Sequence, residues 1–400
     1  MKKILITFIC FAAVLHAAAQ QQNRQQDQPQ NNFRARRAQQ QKQWETPTPG
    51  GVPTGGVRDG VVQTINLGPG QQVVTYQNET TVYPIAGGTL TETRTTAVPV
   101  TLRAADNDSS APPRWAYNRL NIAPAFDAGL DGRGVNILVI NSGFACDSQL
   151  DCSSGSIDVY NNTTDRTGRG AKLVKLIKSN GRLKGVAPMA RIIVYAVPDT
   201  NGAASAASVN AALDFAINYN NTRVRPESKI NVIFLGYGFL GYDASMAGKI
   251  RTLYNDSVTI VAGAGEDGLT TDINFPSNMP EVIAVGGMNS SSDWPLRMSN
   301  YNAQKNVIAF LAPGENVYTF TPGINSYDAV NGSSAAAALV SGLAALAIQS
   351  YKRDYGSYPT PDEVTRMLAA SSIQIRGLAV QRQGYGVIDA SNLAYLQMPV

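Results

Sequence analysis

GVNILVINSG, residues 134–143, runs apolar from Val135 to Ile140 with one interruption and ends in Asn141, Ser142 and Gly143. A short apolar run bounded by glycines reads as a strand buried on both faces, the signature of a parallel sheet. Four more runs share the pattern: ARIIVYAV (190–197), INVIFLGYG (230–238), VTIVAGAG (258–265) and EVIAVGG (281–287). Helical stretches such as AASVNAALDFAINYN (206–220) lie between them. Strands alternating with helices predict an α/β fold with a mostly parallel sheet covered on both faces. In such sheets ligands meet the carboxyl ends of the strands. Asn141 and GAGEDG (263–268) both fall there.

The chain has 400 residues, 44% hydrophobic and 16% charged, enough to bury one large core plus attachments. A net charge of +4 is a weak bias, and the basic residues are scattered apart from FRARRAQQQK (33–42), so no nucleic-acid footprint is present. Residues 1–19 begin with Lys2 and Lys3, pass through ILITFICFAAVL and end in three alanines before Gln20, the layout of a cleavable secretory signal. The mature protein is therefore expected outside the cell, or in the periplasm of a bacterium. Cys10 lies in that leader, which leaves Cys146 and Cys152 to pair as a disulfide in an exported chain.

Residues 20–60 are rich in Gln, Asn, Pro and Gly and cannot bury enough surface to offset the entropy of ordering. The RARR run, Arg34 to Arg37, has the form of a processing site. Residues 61–110 alternate apolar and polar and predict short strands or an extended arm. The globular domain is expected over 111–397. Within it NGSSAAAALVSGLAALAIQS (331–350) is uncharged and Ala-rich; its small residues predict a central buried helix rather than a membrane span. TPDEV (360–364) predicts a last helix with Thr360 as N-cap and Pro361 at its first position.

Five blocks in order resemble the subtilisin-like serine proteases. They are WAYNRLNIAPAFDAGLDGRGVNILVINSG (115–143), GVAPMARIIVYAV (185–197), NFPSNMPEVIAVGG (274–287), LAPGENVYTFTPG (311–323) and NGSSAAAALVSGLAAL (331–346). The resemblance implies a three-layer subtilisin-like fold and a centre of serine nucleophile, histidine base, orienting aspartate and oxyanion asparagine. Carried over one position at a time, the aspartate becomes Asn141 in VINSG and the histidine becomes Arg169 in GRGA (168–171). The oxyanion asparagine becomes Glu266 in GAGEDG, and Ser334 in GSSAA (332–336) keeps the nucleophile's place. The chain's single histidine, His16, lies in the leader, so no shift of alignment supplies an imidazole.

Arginine cannot accept the serine proton, and a glutamate repels an oxyanion. The resemblance thus implies a protein that has lost hydrolysis. Two rescues exist in principle: a carboxylate base, for which TGRGAKLVKL (167–176) offers no acid, or a Ser–Lys pair using Lys172 or Lys175. For Ser334 there is also a plain structural reason, since a small residue is needed where the chain turns into a buried helix. Arg169 and Glu266 should pair across the old cleft, with guanidinium and carboxylate within about 4 Å. The cleft bordered by Gly236, Tyr237 and Gly238 implies room for an extended peptide, a protease inhibitor or another protein partner, held by strand addition. No metal is expected, because the loop that holds calcium in many relatives reads KSNGRLKG (178–185) here, without carboxylates. No cofactor is implied.

Overall fold

The computed structural model describes residues 114–394 except 145, 147–149, 151–155, 162–164, 166–167, 182, 198, 201–202 and 322–325; positions 199–200, 203, 320–321 and 326 are described in backbone alone. It also gives the backbone of three strands nearer the N-terminus. The leader, the 20–60 segment, the RARR run and Cys152 lie outside the described residues. The chain divides into two compact units, Met1–Ala111 and Pro112–Val400.

In the first unit β1 (Gln63–Ile65), β2 (Val74–Ile85) and β3 (Gly88–Ala97) form an antiparallel sheet in that order.

The second unit opens with two short helices, α1 (Trp115–Arg119) and α2 (Ala123–Asp127). Then come β4 (Asn136–Asn141), β5 (Ile157–Tyr160), α3 (Arg169–Lys178), β6 (Arg191–Ala196), the small pair β7 (Asp199–Thr200) and β8 (Ala203–Ala204), and α4 (Ala206–Asn221). The chain continues through β9 (Val232–Leu235), α5 (Ala244–Asn255), β10 (Thr259–Gly263), β11 (Val282–Met288) and β12 (Phe310–Pro313). A hairpin, β13 (Val317–Thr321) and β14 (Ser326–Val330), leads into α6 (Ser333–Tyr355) and α7 (Pro361–Ala370). Last are β15 (Ser372–Ile373), α8 (Val380–Gln383) and β16 (Val387–Ile388).

The central sheet has nine strands in the order β15-β16-β12-β11-β10-β9-β4-β6-β5, and every pairing is parallel except β15 with β16. This is the mixed α/β fold with a mostly parallel sheet that the apolar runs predict. All six residues of β4 are buried, because helices cover both faces. Alternation along the strands sorts the core into two layers. Ile137 and Val139, Val232 and Phe234, and Val261 face one layer with residues of α3 and α6. Leu138 and Ile140, Ile233 and Leu235, and Ile260 and Ala262 face the other, with residues of α4 and α5.

The Ala-rich helix α6 runs through the first layer, with nearly all of its residues from Ser333 to Ser350 buried. Small side chains let it approach the rest of the fold closely: a Cβ on Gly342 would lie 2.6 Å from Val186 Cβ. Helix α7 begins as its sequence predicts. Thr360 Oγ1 accepts from the Glu363 N–H, and the Glu363 carboxylate accepts from the Thr360 N–H, closing a capping box.

The chain visits β5 and β6 on one side of β4 and then places β9 to β12 on the other. The strand order therefore reverses between β4 and β9, and in such sheets ligands bind beyond the carboxyl ends at that point. Asn141 ends β4 and Gly236 follows β9 there, and both are buried.

Candidate functional site

Register places Ile140 beside Leu235 and Leu235 beside Ala262, so the next residues, Asn141, Gly236 and Gly263, form one row across β4, β9 and β10. By alternation this row faces the layer of α3 and α6. A Cβ on Gly236 would lie 2.0 Å from Asn141 Nδ2, and one on Gly263 would lie 2.7 Å from Ser333 Oγ. Glycine at both positions leaves the space that the Asn141 amide and the first turn of α6 occupy. The Asn141 side chain therefore leans across Gly236.

Asn141 is 1% exposed. Its Oδ1 accepts from the Ser142 N–H at 2.7 Å, which fixes the amide's orientation, since a flipped amide would set two donors against each other. Its Nδ2 is buried and has no hydrogen-bond partner among the described residues.

Helix α3 starts at Arg169 after Gly168, whose φ is 65°. Ser142 and Asp165 tie this start to β4. The Gly170 N–H donates to Ser142 Oγ at 3.1 Å, and the Ala171 N–H donates to Asp165 Oδ2 at 2.9 Å. Ser142 Oγ in turn donates to Asp165 Oδ1 at 3.0 Å. So positioned, Arg169 donates from Nη2 to Ser334 Oγ at 2.8 Å. Both residues are half-buried.

The expected Arg169–Glu266 bridge is not formed: the ion pairs between described residues do not include it. The Glu266 carboxylate instead accepts from the Ser333 N–H at the first residue of α6. The reason is electrostatic. A helix N-terminus presents unpaired amides and a partial positive charge, which binds a carboxylate without desolvating a second full charge. The Gly265 N–H donates to Ser333 Oγ at 3.2 Å and holds the loop against the same turn.

Of the lysines in the sequence reading, Lys172 forms an ion pair with Asp328 on β14. That hydrogen bond holds the Asp328 carboxyl below its usual range. Lys175 is 1% exposed and lies six residues along α3 from Arg169, roughly 9 Å up the axis.

Beyond β9, Phe239 and Phe275 exchange both backbone hydrogen bonds, at 2.6 and 2.8 Å, bracing the segment that carries Gly236, Tyr237 and Gly238. Against it lies a polar knot that the sequence reading missed, with Asn274 Cβ 3.1 Å from where a Gly238 Cβ would stand. Asp267 Oδ2 accepts from Asn274 and Asn300 at 3.0 and 3.1 Å, and Asn300 also donates to Asn274 Oδ1 at 3.0 Å. Asn300 Oδ1 accepts from the N–H groups of Asp267 and Leu269. Nothing in the spacing of residues 267, 274 and 300 marks them as partners. Asp165 was missed too: the N-cap is Gly168, and Asp165, three residues earlier, reaches the Ala171 N–H from outside the usual cap position.

The structure thus brings Arg169 onto Ser334, sets Glu266 on the adjacent amide and leaves Asn141 Nδ2 buried over Gly236 with no partner among the described residues.

Residues 145–386 match the pattern of the subtilase family, a match that starts four residues past Asn141. The minor extracellular protease Epr of Bacillus subtilis (strain 168) is 24% identical over 209 residues, which cover 51% of this chain and 30% of that protein. M-protease of Shouchella clausii (strain KSM-K16) is 26% identical over 240 residues, 59% of each chain. Subtilisin Savinase of Lederbergia lenta is also 26% identical over 240 residues, 59% of this chain and 84% of its own. The chain thus spans less than two thirds of the length of the first two relatives. Among solved structures, the prenylagaramide maturation protease PagA superposes with a TM-score of 0.57 at 21% identity, over 68% of this chain and 98% of that one, a likeness of fold.

Proposed function

Because the chain belongs to the subtilase family, its centre can be read against that family's chemistry, and we propose that it is an exported subtilase-fold protein that binds peptide without cutting it. One observation carries this reading: the Ser334 hydroxyl is held at 2.8 Å by a guanidinium, where the family needs a proton acceptor. Arginine stays charged and has no lone pair to take the proton. Glu266 adds a second obstacle, because a carboxylate stands at the oxyanion position, where loss of a donor alone costs about 3–4 kcal/mol. In subtilisin, removing the whole triad lowers kcat by about 10⁶. Asn141 completes the set, offering a donor where a carboxylate would stabilise a developing cation.

The leader-like residues 1–19 support export, and an oxidising destination supports a Cys146–Cys152 disulfide. The family's cleft, which Gly236, Tyr237 and Gly238 would border, supports the binding role, with an extended peptide, a protease inhibitor or another protein as occupant. A decoy for inhibitors or a regulatory subunit fits such a surface.

A fluorophosphonate probe tests the loss of activity. The purified protein should remain unlabelled at Ser334. Labelling that disappears in Ser334→Ala would overturn the reading and restore an active hydrolase with an unconventional base.

A further inference from the structure

The N-terminal sheet ends in an open strand. Its order, β1-β2-β3, leaves the outer edge of β3 with no described strand beside it. β3 runs for ten residues, GTLTETRTTA from Gly88 to Ala97, and half of them are threonine, a residue that favours the extended chain. A free edge of that length is a template for another strand, and proteins blunt such edges with proline, lysine or very short strands. β3 uses none of these devices.

Its two charges select the partner. Arg94 stands opposite Glu79 of β2, but Glu92 stands opposite Thr81, so no cation faces it across the sheet. Positions 88, 90, 92, 94 and 96 share one face, and 89, 91, 93 and 95, all threonine, share the other. A second β3 laid antiparallel about a two-fold axis through residue 93 sets each Glu92 opposite the other copy's Arg94, twice over. It also sets Thr93 opposite Thr93 and Thr91 opposite Thr95. Opposite charges and threonine pairs directly across a ladder are favourable, and like charges are unfavourable. An axis through residue 92 or 94 would oppose two glutamates or two arginines, so the charges choose one register.

We propose that β3 is a homodimer interface, at which two copies pair β3 with β3, antiparallel and centred on Thr93. Residues 89–97 of each copy form the ladder, a span of about 30 Å, and two three-stranded sheets become one of six strands. The contact uses the same edge of both copies, so it closes at two. It is independent of the centre at Ser334 and of peptide binding there.

Sedimentation of the full-length protein over a concentration series reads the association, and cysteine variants read the register. Opposed residues of an antiparallel pair have Cα atoms about 4.5–5.5 Å apart, within disulfide range. Under mild oxidation Thr93→Cys should cross-link to itself, whereas Thr91→Cys and Thr95→Cys should cross-link to each other when mixed and not alone. Glu92→Arg should weaken dimerisation at least about tenfold, because both matched pairs become repulsive. Arg94→Glu, combined with Glu79→Arg to keep opposite charges across β2, should weaken it equally. A 1:1 mixture of these two charge variants should dimerise as wild type does, since every charged pair across the axis is matched again, and that recovery shows both to be folded. Protein that stays monomeric up to about 0.1 mM and gives no cross-link through Thr93→Cys overturns the proposal. A dimer indifferent to the charge changes, or one that cross-links through Thr91→Cys alone, overturns it as well.

Discussion

Replacing Gly236 with alanine should expose how tightly the Asn141 amide is held. The new Cβ would lie 2.0 Å from Nδ2 and 2.9 Å from Cγ, whereas ordinary contact begins at 3.4 Å. The amide cannot turn away without breaking the 2.7 Å bond from the Ser142 N–H, and Asn141, at the end of β4, and Ser142 beyond it are both buried. Overpacking of this kind costs about 1–3 kcal/mol. In an Asn141→Ala background the obstruction is gone, and what remains is a 3.0 Å approach to the Ile140 carbonyl oxygen. Asn141→Ala should itself be nearly neutral. It loses one hydrogen bond worth about 1 kcal/mol and removes a buried donor whose lack of a partner costs a similar amount. The four proteins form a double-mutant cycle with an expected coupling of about 1–2 kcal/mol. Urea denaturation reads it as a shift in midpoint at unchanged slope. An equal cost for Gly236→Ala in both backgrounds would refute the packing of Asn141 across Gly236, and with it the aim of its Nδ2.

Two further outcomes follow from the same geometry. Asn141→Asp combined with Arg169→His should leave peptide hydrolysis at background while Glu266 remains; adding Glu266→Asn should raise it by about 10²–10³, and equal rates in double and triple variants would remove Glu266 as an obstacle. The Lys172 hydrogen bond lowers the Asp328 pKa, so that pair's contribution is complete above the unfolded value near 3.9 and is lost as pH falls through the lower folded value. For this half-exposed pair, wild type should exceed Asp328→Asn by under about 1 kcal/mol at neutral pH, a gap that closes on acidification below about pH 4. A gap that widens in acid would contradict the assignment.

The sheet was legible because buried parallel strands announce themselves: GVNILVI, INVIFLGYG and VTIVAGAG became β4, β9 and β10 within a few residues. β5 escaped notice because IDVY is short and, at the sheet edge, only partly buried. At the centre, the positions of Arg169, Ser334 and Glu266 could be read from order along the chain. Their pairing could not. Charge alone matched Arg169 with Glu266, but backbone amides carry no letter in the sequence, and the Ser333 N–H at the head of α6 took the carboxylate. Likewise the orphaned amide of Asn141 becomes visible only once register sets it beside Gly236.

The row beside Asn141 is main chain, since it continues through Gly236 and Gly263, and any larger residue at either position collides with a neighbour. Attempts to reshape the recognition properties of this protein therefore have no purchase from below. Useful diversity lies at Arg169 and Glu266, and a combinatorial library confined to those positions would vary what is bound while keeping the knot of Asp267, Asn274 and Asn300 that supports the loop.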